Sequence, residues 1–233
     1  MMFSKHSSEA KANLVSKLVF LQLSLYLAVD SINGFMMLGL GIDSSLSALY
    51  KSILLIVLLM YLCVFLPGRM LFVLAAICAL SLGEIASIFL LDTNGSKISF
   101  LFQHILKVLT PLILLFFLID RSKKDRLFFA RILAVIQVNG LVFVCNMLAG
   151  VFGFGFSTYG QGGENTIGSK GYFYAGNEIS ALLVVFCAFY LARAYLNNKF
   201  YYILLSILSI GIGLLVSTKT SMLAVVLLVF LVP

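Results

Sequence analysis

Ionisable side chains inside long apolar runs are the first residues here with chemical potential, because a charge in hydrocarbon persists only when something pairs with it or uses it. Asp30, Glu84 and Lys107 are such residues. Helical spacing gathers polar neighbours around two of them, since residues three or four apart share a face. Gln103, His104, Lys107 and Thr110 form one stripe, and Ser81, Glu84 and Ser87 form another. Such stripes belong against other helices or a water-filled cavity. Glu84 and Lys107 lie on consecutive runs at comparable depth, which predicts either an ion pair that joins two helices or an anion site in which Glu84 positions Lys107. His104 has no second His nearby and is expected to be a neutral hydrogen-bonding partner, not a metal ligand. Asp30, with Asn33 one turn on, is expected to be a structural support.

Two more polar clusters interrupt the apolar sequence later on. One is Lys170, Asn177, Glu178 and Ser180; the other is the run from Ser217 to Ser221, which contains Thr218, Lys219 and Thr220. A turn in the second cluster would leave free N–H groups at a helix start, an arrangement that favours anions, and Lys219 adds a full charge there. The alternative is an ordinary tight turn with a capping hydroxyl. Together Lys107, Lys170 and Lys219 suit a phosphate carried on a lipid: cations for the phosphate and apolar walls for the tail. Glycosyl transfer from a lipid diphosphate requires charge stabilisation on the departing diphosphate and a base for the acceptor hydroxyl. Glu178 is the candidate base.

The elements that must position these residues follow from composition. Of 233 residues, 62% are hydrophobic and 11% charged, against about 45–50% and about 25% in a soluble domain. The apolar residues fall in runs long enough to cross a hydrocarbon core of about 30 Å. The expected fold is an all-α, polytopic transmembrane helix bundle forming a single domain over residues 1–233, with about eight spans near 18–40, 51–66, 71–91, 99–119, 127–150, 178–196, 200–216 and 218–233. Basic residues concentrate in alternate connections, most densely between Asp120 and Arg126, which predicts a cytoplasmic N-terminus. With that orientation Asp30, Glu84, Lys107 and the two later clusters lie toward the outer face. No small-residue cleavage site follows the first run, so it is expected to remain as an anchor. The apolar ending at Pro233 suggests a chain that continues.

The connection from Val151 to Gly176 is long, rich in glycine and aromatic residues, and expected to be a packed or interfacial outer loop. Cys63, Cys78, Cys145 and Cys187 lie in apolar runs without metal-ligand spacing and are expected to fill the core. The formal charge of +7 resides at helix ends, where lipid headgroups explain it, so no nucleic-acid partner is expected.

The segment from Gly168 to Ala181, followed after a helix pair by Ser217-Thr218-Lys219-Thr220-Ser221, resembles the O-antigen ligase and O-antigen polymerase family of polytopic bacterial glycosyltransferases. The resemblance implies transfer of a glycan from undecaprenyl diphosphate at the outer face of the plasma membrane, with no metal, nucleotide sugar or other cofactor, alongside other polysaccharide assembly proteins. It also implies that Lys170, Asn177, Glu178, Thr218 and Lys219 belong to the substrate site. The chain departs from the pattern at Lys219, where many relatives have Arg; the charge is kept while bidentate phosphate binding is lost. The large outer loop of the family would lie beyond Pro233. Polymerase is favoured over ligase. A lipid-linked substrate transporter or flippase is the competing class, and a non-enzymatic membrane partner or fragment is the third.

Overall fold

The computed structural model describes residues 2–91, 98–159, 167–173 and 176–231. Eight α-helices lie within them: α1 (Met2–Gly34), α2 (Leu46–Phe65), α3 (Pro67–Leu91), α4 (Ile98–Lys124), α5 (Phe128–Val151), α6 (Gly176–Asn197), α7 (Lys199–Val216) and α8 (Lys219–Leu231). The chain is an all-α polytopic membrane bundle. Among the described residues, five helical stretches are both long and apolar enough to cross a bilayer, against the eight spans expected. The surface explains why such a chain needs lipid. Leu196 is 83% exposed, Phe129 and Phe230 78%, and Leu71 70%. Asn139, Asn146, Ser206, Ser209 and Ser221 are buried. Polar groups turn inward because hydrocarbon offers them no partner.

Helix ends follow local chemistry. Pro67 opens α3, a position where its missing N–H costs nothing. The side chain of Asp125 accepts from Leu127 N at 2.9 Å just before α5, and that of Asn198 accepts from Phe200 N at 2.8 Å at the start of α7. α4 continues through Pro111, which removes the N–H that would have bonded the carbonyl of Lys107. α1 ends in a π-helical turn, Phe35–Gly39.

Two expectations are corrected. The connection between α5 and α6 has secondary structure of its own: β1 (Phe156–Tyr159) pairs antiparallel with β2 (Ile167–Gly171), Ser157 opposite Ser169, with a register shift at Phe156/Ser157. The alternating Phe/Ser/Thr/Tyr run is a strand signal that the abundant glycines masked. Of the four cysteines, only Cys187 is in the core; Cys63, Cys78 and Cys145 are exposed. In a membrane protein an apolar surface side chain already has its solvent, so location in an apolar run does not imply burial.

The chain divides into two compact units, residues 1–23 with 48–133, and 24–47 with 134–233. In the first, α3 packs on α4, and Phe117 of α4 meets Phe20 of α1 and Tyr61 of α2, with ring centroids 5.8 and 4.9 Å apart. Beyond these rings lies a polar node. Asp120 accepts from the Tyr61 hydroxyl at 2.6 Å and pairs with Lys124 at 2.7 Å. Asp125 pairs with Arg131 at 2.5 Å and with Arg121 at 3.8 Å. Arg121 donates to Asn13, and Arg131 reaches Ser16 at 3.5 Å. Charges whose pattern in the sequence points only to orientation thus tie α1 to the α4–α5 corner.

In the second unit, α6, α7 and α8 pack against one another. Its core includes Leu27, Phe143, Met147, Ile179, Leu183 and Val225. α5 adds Asn139, whose Oδ1 accepts from Leu27 N of α1 at 3.0 Å.

Tyr61→Phe removes a bond from a buried hydroxyl to a carboxylate and is expected to lower stability by about 1.5–3 kcal/mol. The chain has no Trp, so thermal unfolding in detergent followed by circular dichroism is the appropriate check; an unchanged melt would show that the node does not stabilise the first unit.

Candidate functional site

The second unit assembles its polar groups around the hairpin. β2 runs against the end of α7, closely enough that a Cβ on Gly168 would come within 2.8 Å of both Ser217 Cβ and the Val216 carbonyl oxygen. At the other end of β2, a Cβ on Gly171 would come within 2.5 Å of the Asn146 carbonyl oxygen. Both glycines have positive φ, +75° and +58°, which other residues adopt only at a cost. Backbone meets backbone at each end of the strand, so β2 is seated on α5 and on the α7–α8 corner. Asn146 completes the seat: its Oδ1 accepts from Tyr172 N at 3.2 Å and from the Ser31 hydroxyl at 2.9 Å. Phe35, in the π-helical turn after α1, meets Tyr172 edge-on at 5.1 Å.

The α7–α8 corner is held by hydroxyls. Ser217 takes the left-handed conformation, φ 57°, that ends α7, and Thr218 caps α8 by accepting from Ser221 N at 3.1 Å. The Thr218 hydroxyl also lies 2.6 Å from that of Ser180 on α6 and donates to Ser221 Oγ at 2.8 Å. Ser221 lies 3.3 Å from the Gly213 carbonyl oxygen. One hydroxyl supplies one donor and accepts about two bonds. Thr218 therefore has no capacity left for a ligand. Expected as a substrate-binding residue, it fixes the corner to α6 in this structure.

The other expected site residues are distributed as follows. Lys170 is buried on β2, 7% exposed, in the strand that adjoins the corner. Lys219 is exposed at the first position of α8. A cation there is opposed by the helix dipole, by about 0.3–1 kcal/mol, and no acidic residue offsets it in the first turn. Asn177 and Glu178 lie in the first turn of α6, just before Ser180; their side chains, like those of Glu84 and His104, lie outside the described residues. Lys107 is exposed on α4, in the first unit, while Lys170, Lys219 and the backbone of Asn177 and Glu178 belong to the second. The Glu84–Lys107 pairing also falls outside the described residues. Asp30 accepts from the Ser47 hydroxyl, and Asn33 Oδ1 accepts from Ser47 N at 3.2 Å. These two side chains supply the first turn of α2 with partners its own helix cannot.

A protein-family model described as O-antigen ligase like membrane protein matches residues 12–232. The chain belongs to that family. No curated protein and no solved structure matches it. The family match spans both compact units and includes the hairpin and the α7–α8 corner. Within this O-antigen ligase-like chain, Ser180 meets Thr218 and Gly168 meets Ser217, which links the start of α6, β2 and the α7–α8 corner. Asn146 was missed, although Asn139 and Asn146, seven residues apart in an apolar run, mark a buried helix face.

Gly171→Ala must displace the Asn146 backbone as well as adopt positive φ, and is expected to cost at least about 1–2 kcal/mol from φ alone. Gly211→Ala in α7, where a Cβ meets open space, is expected to gain up to about 1 kcal/mol. Circular dichroism melts of both variants check this; equal effects would mean that β2 is not seated as described.

Proposed function

We propose that this protein transfers glycan from an undecaprenyl-diphosphate-linked oligosaccharide at the outer face of the bacterial plasma membrane, as a polymerase of surface polysaccharide repeat units. The observation that carries the reading is the convergence of the Lys170 strand, the start of α6 and the Lys219 corner in one unit of an O-antigen ligase-like chain. Family membership supports a membrane enzyme acting on polysaccharide.

The chemistry follows from charge. Breaking the bond between the anomeric carbon and the lipid diphosphate places negative charge on the departing phosphate oxygens. Lys219 and Lys170 offset it, Lys219 with the N-terminal dipole of α8 behind it and Lys170 from a buried position where a charge acts more strongly than in water. Glu178 takes the proton from the acceptor hydroxyl as that oxygen bonds to the anomeric carbon, and Asn177 hydrogen-bonds the sugar. Asp30, in the same unit, is a supporting residue. The step needs no metal.

Loss of one charge-stabilising donor is expected to reduce turnover by about 10²–10³-fold. The encoding gene is deleted from its host and complemented with wild type, Lys219→Ala, Lys219→Arg or Lys170→Met, and extracted polysaccharide is run on a gel. Wild type and Lys219→Arg are expected to restore a long-chain ladder, while Lys219→Ala and Lys170→Met leave single repeat units at equal membrane levels. An unchanged ladder after deletion would overturn the polymerase reading. Intact polymer left on the carrier lipid would indicate a ligase instead, and repeat units trapped on the inner leaflet a flippase.

A further inference from the structure

The node at the α4–α5 corner of the first unit has a second property. Its two carboxylates are buried and occupied: Asp120 by Tyr61 and Lys124, Asp125 by Arg131 and Arg121. No other carboxylate pairs with the surrounding cations among the described residues. Lys123 and Arg126 are exposed and make no ion pair among the described residues. Lys17 is also exposed and is brought alongside because its neighbours on α1, Ser16 and Asn13, accept from Arg131 and Arg121. Two carboxylates thus face six cations, Lys17, Arg121, Lys123, Lys124, Arg126 and Arg131, an excess of four. Arg121 is 2% exposed and its Nε has no hydrogen-bond partner.

Apolar surface borders the same corner. Leu127 is 59% exposed and Phe129 78%, and on α1 Leu14 and Leu18, which flank Lys17 within one turn, are 61% and 47% exposed. Cations adjoining exposed hydrocarbon match a molecule with a phosphate at one end and acyl chains at the other. A free phosphate would make no use of the apolar rim. A zwitterionic headgroup would bring its own cation into a place already four charges in excess.

We propose that this corner, with the adjoining arm of α1, is a binding site for an anionic phospholipid, its phosphate held by Lys17, Lys123 and Arg126 and its chains lying on Leu127, Phe129 and the α1 leucines. The site is independent of the glycan-transfer reading, which concerns the other unit.

Binding is read by native mass spectrometry on the whole chain in a non-ionic detergent, titrated separately with dioleoylphosphatidylglycerol, dioleoylphosphatidylcholine and inorganic phosphate. Phosphatidylglycerol is expected to bind more tightly than phosphatidylcholine. A juxtamembrane cation contributes about fivefold in affinity, so Lys123→Gln with Arg126→Gln is expected to weaken phosphatidylglycerol about 25-fold. Neither side chain belongs to the buried node, so the circular dichroism melt of this variant should match wild type. Lys199→Gln, an exposed cation of the other unit, is expected to leave affinity unchanged. Equal binding of phosphatidylcholine, retention of inorganic phosphate as strong as that of the lipid, or an equal loss in Lys199→Gln would each overturn the proposal.

Discussion

A polar group surrounded by hydrocarbon must find its partner inside the protein, and most of what is specific about this fold follows from that constraint. Water would let Asn139, Asn146, Ser180 or Thr218 take hydrogen bonds anywhere on the surface. In lipid each must meet another part of the chain, and each meeting fixes a pair of elements: Asn139 joins α5 to α1, Asn146 joins α5 to α1 and to the end of the hairpin, and Thr218 joins the α7–α8 corner to α6. Apolar packing between lipid-facing helices lacks direction, because acyl chains are as good a neighbour as Leu. The polar contacts supply the register that hydrophobic burial alone leaves open.

The hairpin is the exception that the constraint permits. Extended backbone is tolerated at membrane depth or at its edge only when its groups are paired, and β1 and β2 pair with one another. β2 is then pressed against helix ends where backbone carbonyls are exposed. Glycine is needed at Gly168 and Gly171 because a side chain there would occupy the space of the Val216 and Asn146 carbonyls. A strand seated at both ends by close backbone contacts is a fixed part of the unit. Lys170, near its middle, is held in place with it.

The helices were legible in the sequence because their signal is carried by twenty or so residues at a time; an error of a few positions leaves the assignment intact. Pro67 and the Ser217-Thr218 break marked two boundaries because each changes what the backbone can do. The site was legible only as a set of residue types. That Gly168 of β2 meets the end of α7 depends on the hairpin, whose alternating strand pattern covers four residues amid many glycines, too few to override a reading as loop. The partner of Thr218 was hidden for a related reason: sequence shows that a hydroxyl is present, but not that Ser180, thirty-eight residues away, meets it. The polar node around Asp120 and Asp125 was hidden by its own composition, since a run of charges at a helix end has an adequate explanation in topology without any internal pairing.

The saturation of the corner also bears on how it could contribute to function. With Ser180, Thr218 and Ser221 occupied by one another and by the backbone, the hydroxyls cannot both hold the corner and bind a diphosphate. Geometry and charge are therefore assigned to different residues: the hydroxyls determine where α8 begins, and Lys219, one residue past the cap, places a cation where the helix dipole is already positive. A planar guanidinium contributes orientation as well as charge; on the proposed reading the hydroxyl chain already orients the corner, and a lysine there has only charge to supply.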